Sequence, residues 1–164
     1  MAARSFRRKN GRCAWLIAMA LVACSRENRG PPAGDDARPG AAARDNRYEL
    51  RVLEIRTCRA PRGSALPPGH VRLGVHVELS STASEPIPVN TFYASLVDSL
   101  QRSYSATFAG CEPVLRNPPL RRGERARGFA TFELPESASG LELVYAPRLS
   151  DGGAQPSARV RLGR

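Results

Sequence analysis

Four cysteines, two histidines, one pair of adjacent aspartates and one arginine-dense stretch are the residues of this chain whose types and spacing could do chemistry. His70 and His76 stand six apart, about 20 Å along a straight strand, so they cannot share a metal ion. No Gly-x-Ser-x-Gly elbow, His-Glu-x-x-His pair or Gly-x-x-x-x-Gly-Lys loop occurs, which removes the commonest hydrolase, metalloprotease and nucleotide signatures. Both methionines, Met1 and Met19, fall near the amino terminus, where they cannot complete a copper site with the histidines. No metal, cofactor or catalytic residue is expected, and an enzyme ranks behind two binding readings. The stretch "LRRGERARG" holds Arg121, Arg122, Arg125 and Arg127 in seven residues, with Phe129 beside it. These five form a candidate surface for an anionic glycan, lipid head groups or a protein partner. Its bland alternative is a soluble hairpin with arginines pointing at water. Glu124 sits in its middle and no aromatic row is present to stack bases, so nucleic acid is not expected.

Cys24 stands at the end of a different pattern. Arg4, Arg7, Arg8, Lys9 and Arg12 precede the apolar run Ala14 to Ala23 with no acidic residue among them. Ten residues make about 15 Å of helix, half of a bilayer core of about 30 Å. A positive end and a short apolar run therefore read as an export signal. Lys9 and Asn10 follow Arg7-Arg8 where a twin-arginine signal prefers apolar residues, which favours the general secretory route. Leu21-Val22-Ala23-Cys24 resembles the lipobox of bacterial lipoproteins. The resemblance implies that the Cys24 thiol receives a diacylglyceryl group, that the chain is cut just before it, and that the new amino terminus is acylated, with palmitate the expected kind of chain. The competing readings are an ordinary cleaved signal beside a chance cysteine and an uncleaved apolar anchor. Ser25 after the cysteine resembles the outer-membrane sorting choice of two-membrane bacteria.

Setting residues 1–23 aside changes the charge and the cysteine count. The whole chain carries 25 basic and 15 acidic residues, a net of +10. Five of the basic residues lie before Cys24 and none of the acidic ones does, leaving 20 against 15, or +5. Cys13 leaves with the signal and Cys24 takes lipid, so Cys58 and Cys111 remain. In an exported chain an even pair reads as a disulfide, which closes a loop stabilising the fold by about 4 kcal/mol in the chain-entropy model. Two separate buried thiols are the alternative. Residues 24–46 hold Gly30, Gly34, Gly40, Pro31, Pro32 and Pro39, with no apolar side chain larger than alanine after Cys24. Such a stretch cannot build a core and reads as a tether with a reach of roughly 25 Å. Asp35-Asp36 falls within it and reads as solvated charge.

The remaining domain, residues 47–164, alternates with a period of two. In "HVRLGVHVEL", Val71, Leu73, Val75, Val77 and Leu79 alternate with Arg72, Gly74, His76 and Glu78, the pattern of a strand with one wet face. Further strands are expected at Tyr48 to Arg56, Thr91 to Val97, Ser103 to Phe108, Arg125 to Leu134, Leu141 to Tyr145 and Arg159 to Leu162. Turn chemistry separates them, including Ser84-Glu85-Pro86, Asn117-Pro118-Pro119 and Arg122-Gly123. The apolar phase slips from Val52 to Leu53, which a bulge near Val52 would reconcile. In the Arg125 to Leu134 strand Phe132 is expected in the core, with Phe129 opposite, either under a neighbouring loop or on a contact surface. Short strands at this spacing argue an all-β fold, an antiparallel immunoglobulin-like β-sandwich of about seven strands.

The order "VHVELSSTASEPIPV", "TFYASLVDSLQRSY", "PPLRRGERARGFATFELP" and "GLELVYAP" resembles the telokin-like, immunoglobulin-like extracellular domains of bacterial lipoproteins. Leu120, Gly123, Glu124, Gly128, Phe132, Leu134 and Pro135 carry the most specific part. Two departures stand out: Ser99-Leu100-Gln101 follows Asp98 without the usual glycine, and Ser80-Ser81 replaces a common asparagine. The resemblance implies a fold and a location, and no catalytic residue. The expected function is a non-enzymatic binding or assembly role on the envelope. The membrane is expected as partner through the lipid, with an envelope protein or anionic glycan as the further one. The domain would sit in the periplasm or outside the cell, anchored to the cell membrane or outer membrane.

Overall fold

The computed structural model describes residues 40–59, 64–149 and 157–163. Cys24, the signal segment and residues 24–39 of the expected tether lie outside these. Ten strands occur among the described residues: β1 (Ala42–Arg44), β2 (Tyr48–Thr57), β3 (His70–Ser81), β4 (Ile87–Asn90), β5 (Ala94–Val97), β6 (Ser103–Thr107), β7 (Arg116–Leu120), β8 (Arg125–Pro135), β9 (Glu142–Tyr145) and β10 (Ala158–Arg161). The only helical element among them is a 3-10 turn, Thr91–Tyr93, where the sequence pointed to the start of a strand.

The main sheet runs in the order β1-β2-β3-β8-β6-β5-β9-β10, and β4 and β7 form a separate two-stranded ribbon. All of these pairings are antiparallel. The long sheet folds over itself at β6, whose Ser103 to Ser105 pair with β5 while Ala106 and Thr107 pair with β8. One layer is thus β1-β2-β3-β8 and the other β5-β9-β10, the expected antiparallel β-sandwich. Leu50, Val52, Leu73, Val75, Val77, Leu79, Ala130 and Phe132 from the first layer meet Leu96, Leu143, Tyr145 and Val160 from the second in one core. Each fully buried aliphatic or phenyl side chain contributes about 1.5–3 kcal/mol relative to exposure. The Tyr48 hydroxyl ties the layers together, donating to the Tyr145 carbonyl at 2.6 Å and accepting the Ala158 N–H at 3.0 Å. Burial pushes the phenols of Tyr48 and Tyr145 well above their ordinary range.

Three differences from the sequence reading have local causes. β1 lies inside the segment read as tether: Ala42, Ala43 and Arg44 pair with Arg51, Leu50 and Glu49, so residues 40–46 belong to the domain. Its backbone finds hydrogen-bond partners that its small side chains gave no hint of. Asn117-Pro118-Pro119 is no turn but the middle of β7, tolerated because proline lacks a donor and β7 pairs only with β4. With β1, β4 and β7 the count rises from about seven to ten. The bulge at Val52 is present, with the register slipping between Val52 opposite Val77 and Glu54 opposite His76.

The face of β3 expected to be wet is largely covered. Arg72, Glu78 and Gly74 are buried there. Cys58 and Cys111 are joined by the expected disulfide, which lies directly on Gly74. A methyl group at Gly74 would sit 2.5 Å from Cys58 Sγ and 2.6 Å from Cys111 Sγ. Gly74→Ala is expected to lower stability by about 1–3 kcal/mol through overpacking, read as a lower urea midpoint. An unchanged midpoint would show that the disulfide moves aside freely. The Arg72 guanidinium is only 2 % exposed and is held by the Glu133 carboxylate at 2.7 Å and by the carbonyl and hydroxyl of Ser64, the pairing that a buried charge requires.

Candidate binding site

The arginines of "LRRGERARG" do not share one surface. The turn between β7 and β8 is built by Gly123 at φ 84°, a left-handed conformation that favours glycine. The Glu124 carboxylate accepts the Arg121 N–H at 2.7 Å. From there the four side chains part company. Arg127 and Arg125 turn onto the outer face of the sheet, where both reach Glu78, at 2.6 and 3.7 Å. Arg122 goes the other way and donates from Nε to the Thr82 carbonyl at 3.0 Å. Arg121 stays exposed at the tip.

Phe129 is not on the surface; it is 3 % exposed, beneath the chain that leads into β7. Its backbone exchanges bonds with Pro113 and Leu115, which lays residues 111–115 across it. Its ring stacks on His76 at 4.5 Å, and the Arg56 guanidinium lies 4.4 Å from the ring centroid. Cys58, Cys111 and Phe129 make a small second core on the outside of the sheet. Of the two possibilities for Phe129, the covering segment is the one realised.

Arg122 instead joins a groove that the linear sequence did not reveal. A cleft of about 860 Å³ opens at one end of the sandwich, with Arg47, Arg122 and Arg148 around it and Pro86, Ile87, Pro88, Pro119 and Leu149 along its walls. Its frame is backbone: the Arg47 carbonyl accepts the N–H groups of Thr82 and Ala83, and the Ser81 carbonyl accepts that of Gly123. Glu85 is the one acidic residue among the described residues of the lining. The nearby Asp45 accepts the Arg47 N–H within its own turn. Arg47 and Arg148 lie 75 and 26 positions from Arg122 along the chain. What brings them together is the antiparallel order: the β1–β2, β3–β4 and β7–β8 connections and the exit from β9 all fall at the same end.

A second polar cluster sits at the opposite end. Asp98 is buried and accepts the N–H groups of Leu100 and Arg102, the Arg102 guanidinium at 2.6 Å and the Tyr104 hydroxyl at 2.9 Å. The glycine that this turn lacks in sequence is replaced by Gln101, which takes the left-handed conformation itself at φ 61°, at a cost of about 1–2 kcal/mol. Burial raises the Asp98 carboxyl, but the bonds from Arg102, Tyr104 and Leu100 outweigh it and hold its pKa at about 2, below the ordinary 3.8. A folded-state pKa below the unfolded one means stability that is whole above pH 4 and is lost as pH falls toward 2. The urea midpoint is expected to drop across that window, and Asp98→Asn to flatten the drop. A variant with the same pH slope as the parent would remove Asp98 from the explanation. All four bonds are spent on closing the turn between β5 and β6.

Among the described residues no three His, Cys, Asp or Glu side chains converge as a metal site. No protein-family model and no curated protein matches the chain. Solved structures do. A candidate lipoprotein, ycdA, from Bacillus subtilis subsp. subtilis str. 168 aligns with a TM-score of 0.63 and 14% identity over 77% of this chain and 39% of that one. A functionally unknown protein from Listeria monocytogenes EGD-e aligns at 0.55 and 12% over 73% and 80% of the two chains. The yjhA protein of Bacillus subtilis aligns at 0.53 and 16% over 79% and 97%. The chain thus spans well under half the length of ycdA and nearly all of yjhA. At these identities the likeness is one of architecture: the sandwich described above is the fold that this chain has in common with all three.

Proposed function

We propose that this chain is a lipid-anchored lipoprotein of the cell envelope whose sandwich works by binding or by supporting an assembly, without catalysis. The observation that carries the reading is Leu21-Val22-Ala23-Cys24 placed directly after a basic, ten-residue apolar segment. The fold shared with ycdA, itself described as a candidate lipoprotein, supports it. The non-catalytic part draws support from the buried polar groups. Arg72 is spent on Glu133, Glu78 on Arg127, and Asp98 on Arg102. The first two pairs brace β3 against β8, and the third closes the turn between β5 and β6. Intact mass of protein extracted from the envelope tests the anchor. Loss of residues 1–23 together with added acyl mass is expected, and an unacylated chain would overturn it.

The second reading, an anionic glycan or lipid module acting through Arg121, Arg122, Arg125 and Arg127, keeps only part of its surface. Arg125 and Arg127 share the Glu78 carboxylate, which leaves Arg121 and Arg122 to meet an anion.

A further inference from the structure

We infer that the groove at the β1–β2, β3–β4 and β7–β8 end takes an extended acidic peptide segment of a partner protein. The inference rests on the binding role proposed above and narrows it to one site and one ligand chemistry.

Charge is the first argument. Arg122 and Arg148 flank the groove, and Glu85 is the one carboxylate among its described lining residues; a guanidinium holds a carboxylate through two parallel N–H bonds. The positions are not adjacent in sequence, so the cluster is a product of folding. A basic run in the chain would not produce it.

The walls are the second argument. Proline, isoleucine and leucine line the groove, and none of its described lining residues is aromatic. Sugars and bases are held by stacking on aromatic faces, and that platform is missing among the lining residues. An acyl chain requires a wholly apolar cavity, whereas Thr82, Ser84, Arg122 and Arg148 are among the residues that line this groove. Aliphatic and pyrrolidine walls instead fit the backbone and short side chains of an extended peptide. Pro86, Pro88 and Pro119 carry no N–H to offer, so the peptide is held by its side chains and does not add as a strand.

Pre-organisation is the third. The bonds from Thr82 and Ala83 to Arg47, from Gly123 to Ser81, and from Arg122 to Thr82 tie the β1–β2, β3–β4 and β7–β8 connections together before any ligand arrives. A site already fixed loses little freedom on binding.

Fluorescence anisotropy on the full chain in detergent tests the inference, with three labelled probes: a ten-residue peptide of alternating aspartate and proline, an oligogalacturonate, and polyphosphate. The peptide is expected to bind, and its asparagine counterpart not to. Arg122→Glu with Arg148→Glu is expected to weaken peptide binding by at least about tenfold, which is about 1.4 kcal/mol. Arg116→Glu with Arg161→Glu changes net charge equally outside the groove, and should weaken binding by less than about threefold. Equal losses in the two double variants would mean that net charge alone attracts the peptide and would overturn the site. If R122E/R148E does not fold, as judged by circular dichroism, the milder R122Q/R148Q reads the same contrast. Binding of oligogalacturonate or polyphosphate without the peptide overturns the acidic-peptide ligand and leaves a binding role standing. No binding of any probe overturns both.

Discussion

Cys24→Ser is expected to yield a chain with no acyl mass and no cleavage before residue 24, and to lower its partition into a detergent phase by at least about tenfold. The reason lies in the nucleophile. A thiol ionises near pH 8.5 and its thiolate attacks readily; a serine hydroxyl at the same place needs an adjacent base that a short apolar segment does not supply. Each buried methylene contributes about 0.8 kcal/mol, so losing one sixteen-carbon chain removes on the order of 10 kcal/mol of membrane attachment. What remains is the ten-residue run Ala14 to Ala23, about 15 Å long as a helix. Intact mass and phase partition read the two effects separately. A serine variant with the parental acyl mass would sink the lipoprotein reading outright.

Removing the disulfide with Cys58→Ala and Cys111→Ala is expected to cost about 4 kcal/mol and to lower the melting temperature by roughly 15 °C. The bridged residues are 53 apart, and the loop they close contains β3 to β6, so without the bond the unfolded chain regains a large ensemble. The folded state loses something as well. Cys111 holds the near end of the segment that covers Phe129, and the Arg56 guanidinium reaches toward Cys111 Sγ at 3.4 Å. Thermal unfolding of the double variant, and of the parent with reductant, should agree within a few degrees. A shift of less than about 5 °C would show that burial, and not the bridge, holds this layer.

Legibility in the sequence followed the range of the interaction. The period-two run in β3 was readable because one face meets a core built from similar runs, and the Val52 to Leu53 phase slip was readable as a bulge because both residues are local to it. The other face of β3 was not readable. Its cover comes from Cys111 to Leu115 and from Ser64, segments that nothing in "HVRLGVHVEL" announces. Arg72 and Glu78 therefore looked solvated when they are buried in pairs. The short strands escaped for a related reason: β1 has three small or polar residues and β7 two prolines, so pairing alone makes them strands. The groove demanded the most. Arg122 was singled out for its neighbours in sequence, whereas the neighbours that matter, Arg47 and Arg148, become visible only once the topology puts alternate connections at one end.

The direction of β1 sets how this domain would carry a load. The chain enters at Gly40, whose N–H bonds to the Val52 carbonyl at 2.8 Å, and the Val52 N–H returns to Ala41 at 2.9 Å. From there β1 runs toward the 45–47 turn and the groove. A partner held in the groove and an anchor upstream of Gly40 would therefore pull β1 lengthwise along β2. Hydrogen bonds between antiparallel strands lie across the strand direction, so such a pull strains them together, in shear, rather than opening them one by one. In that arrangement the three-residue β1 would be the clasp that transmits tension from such an anchor to the partner.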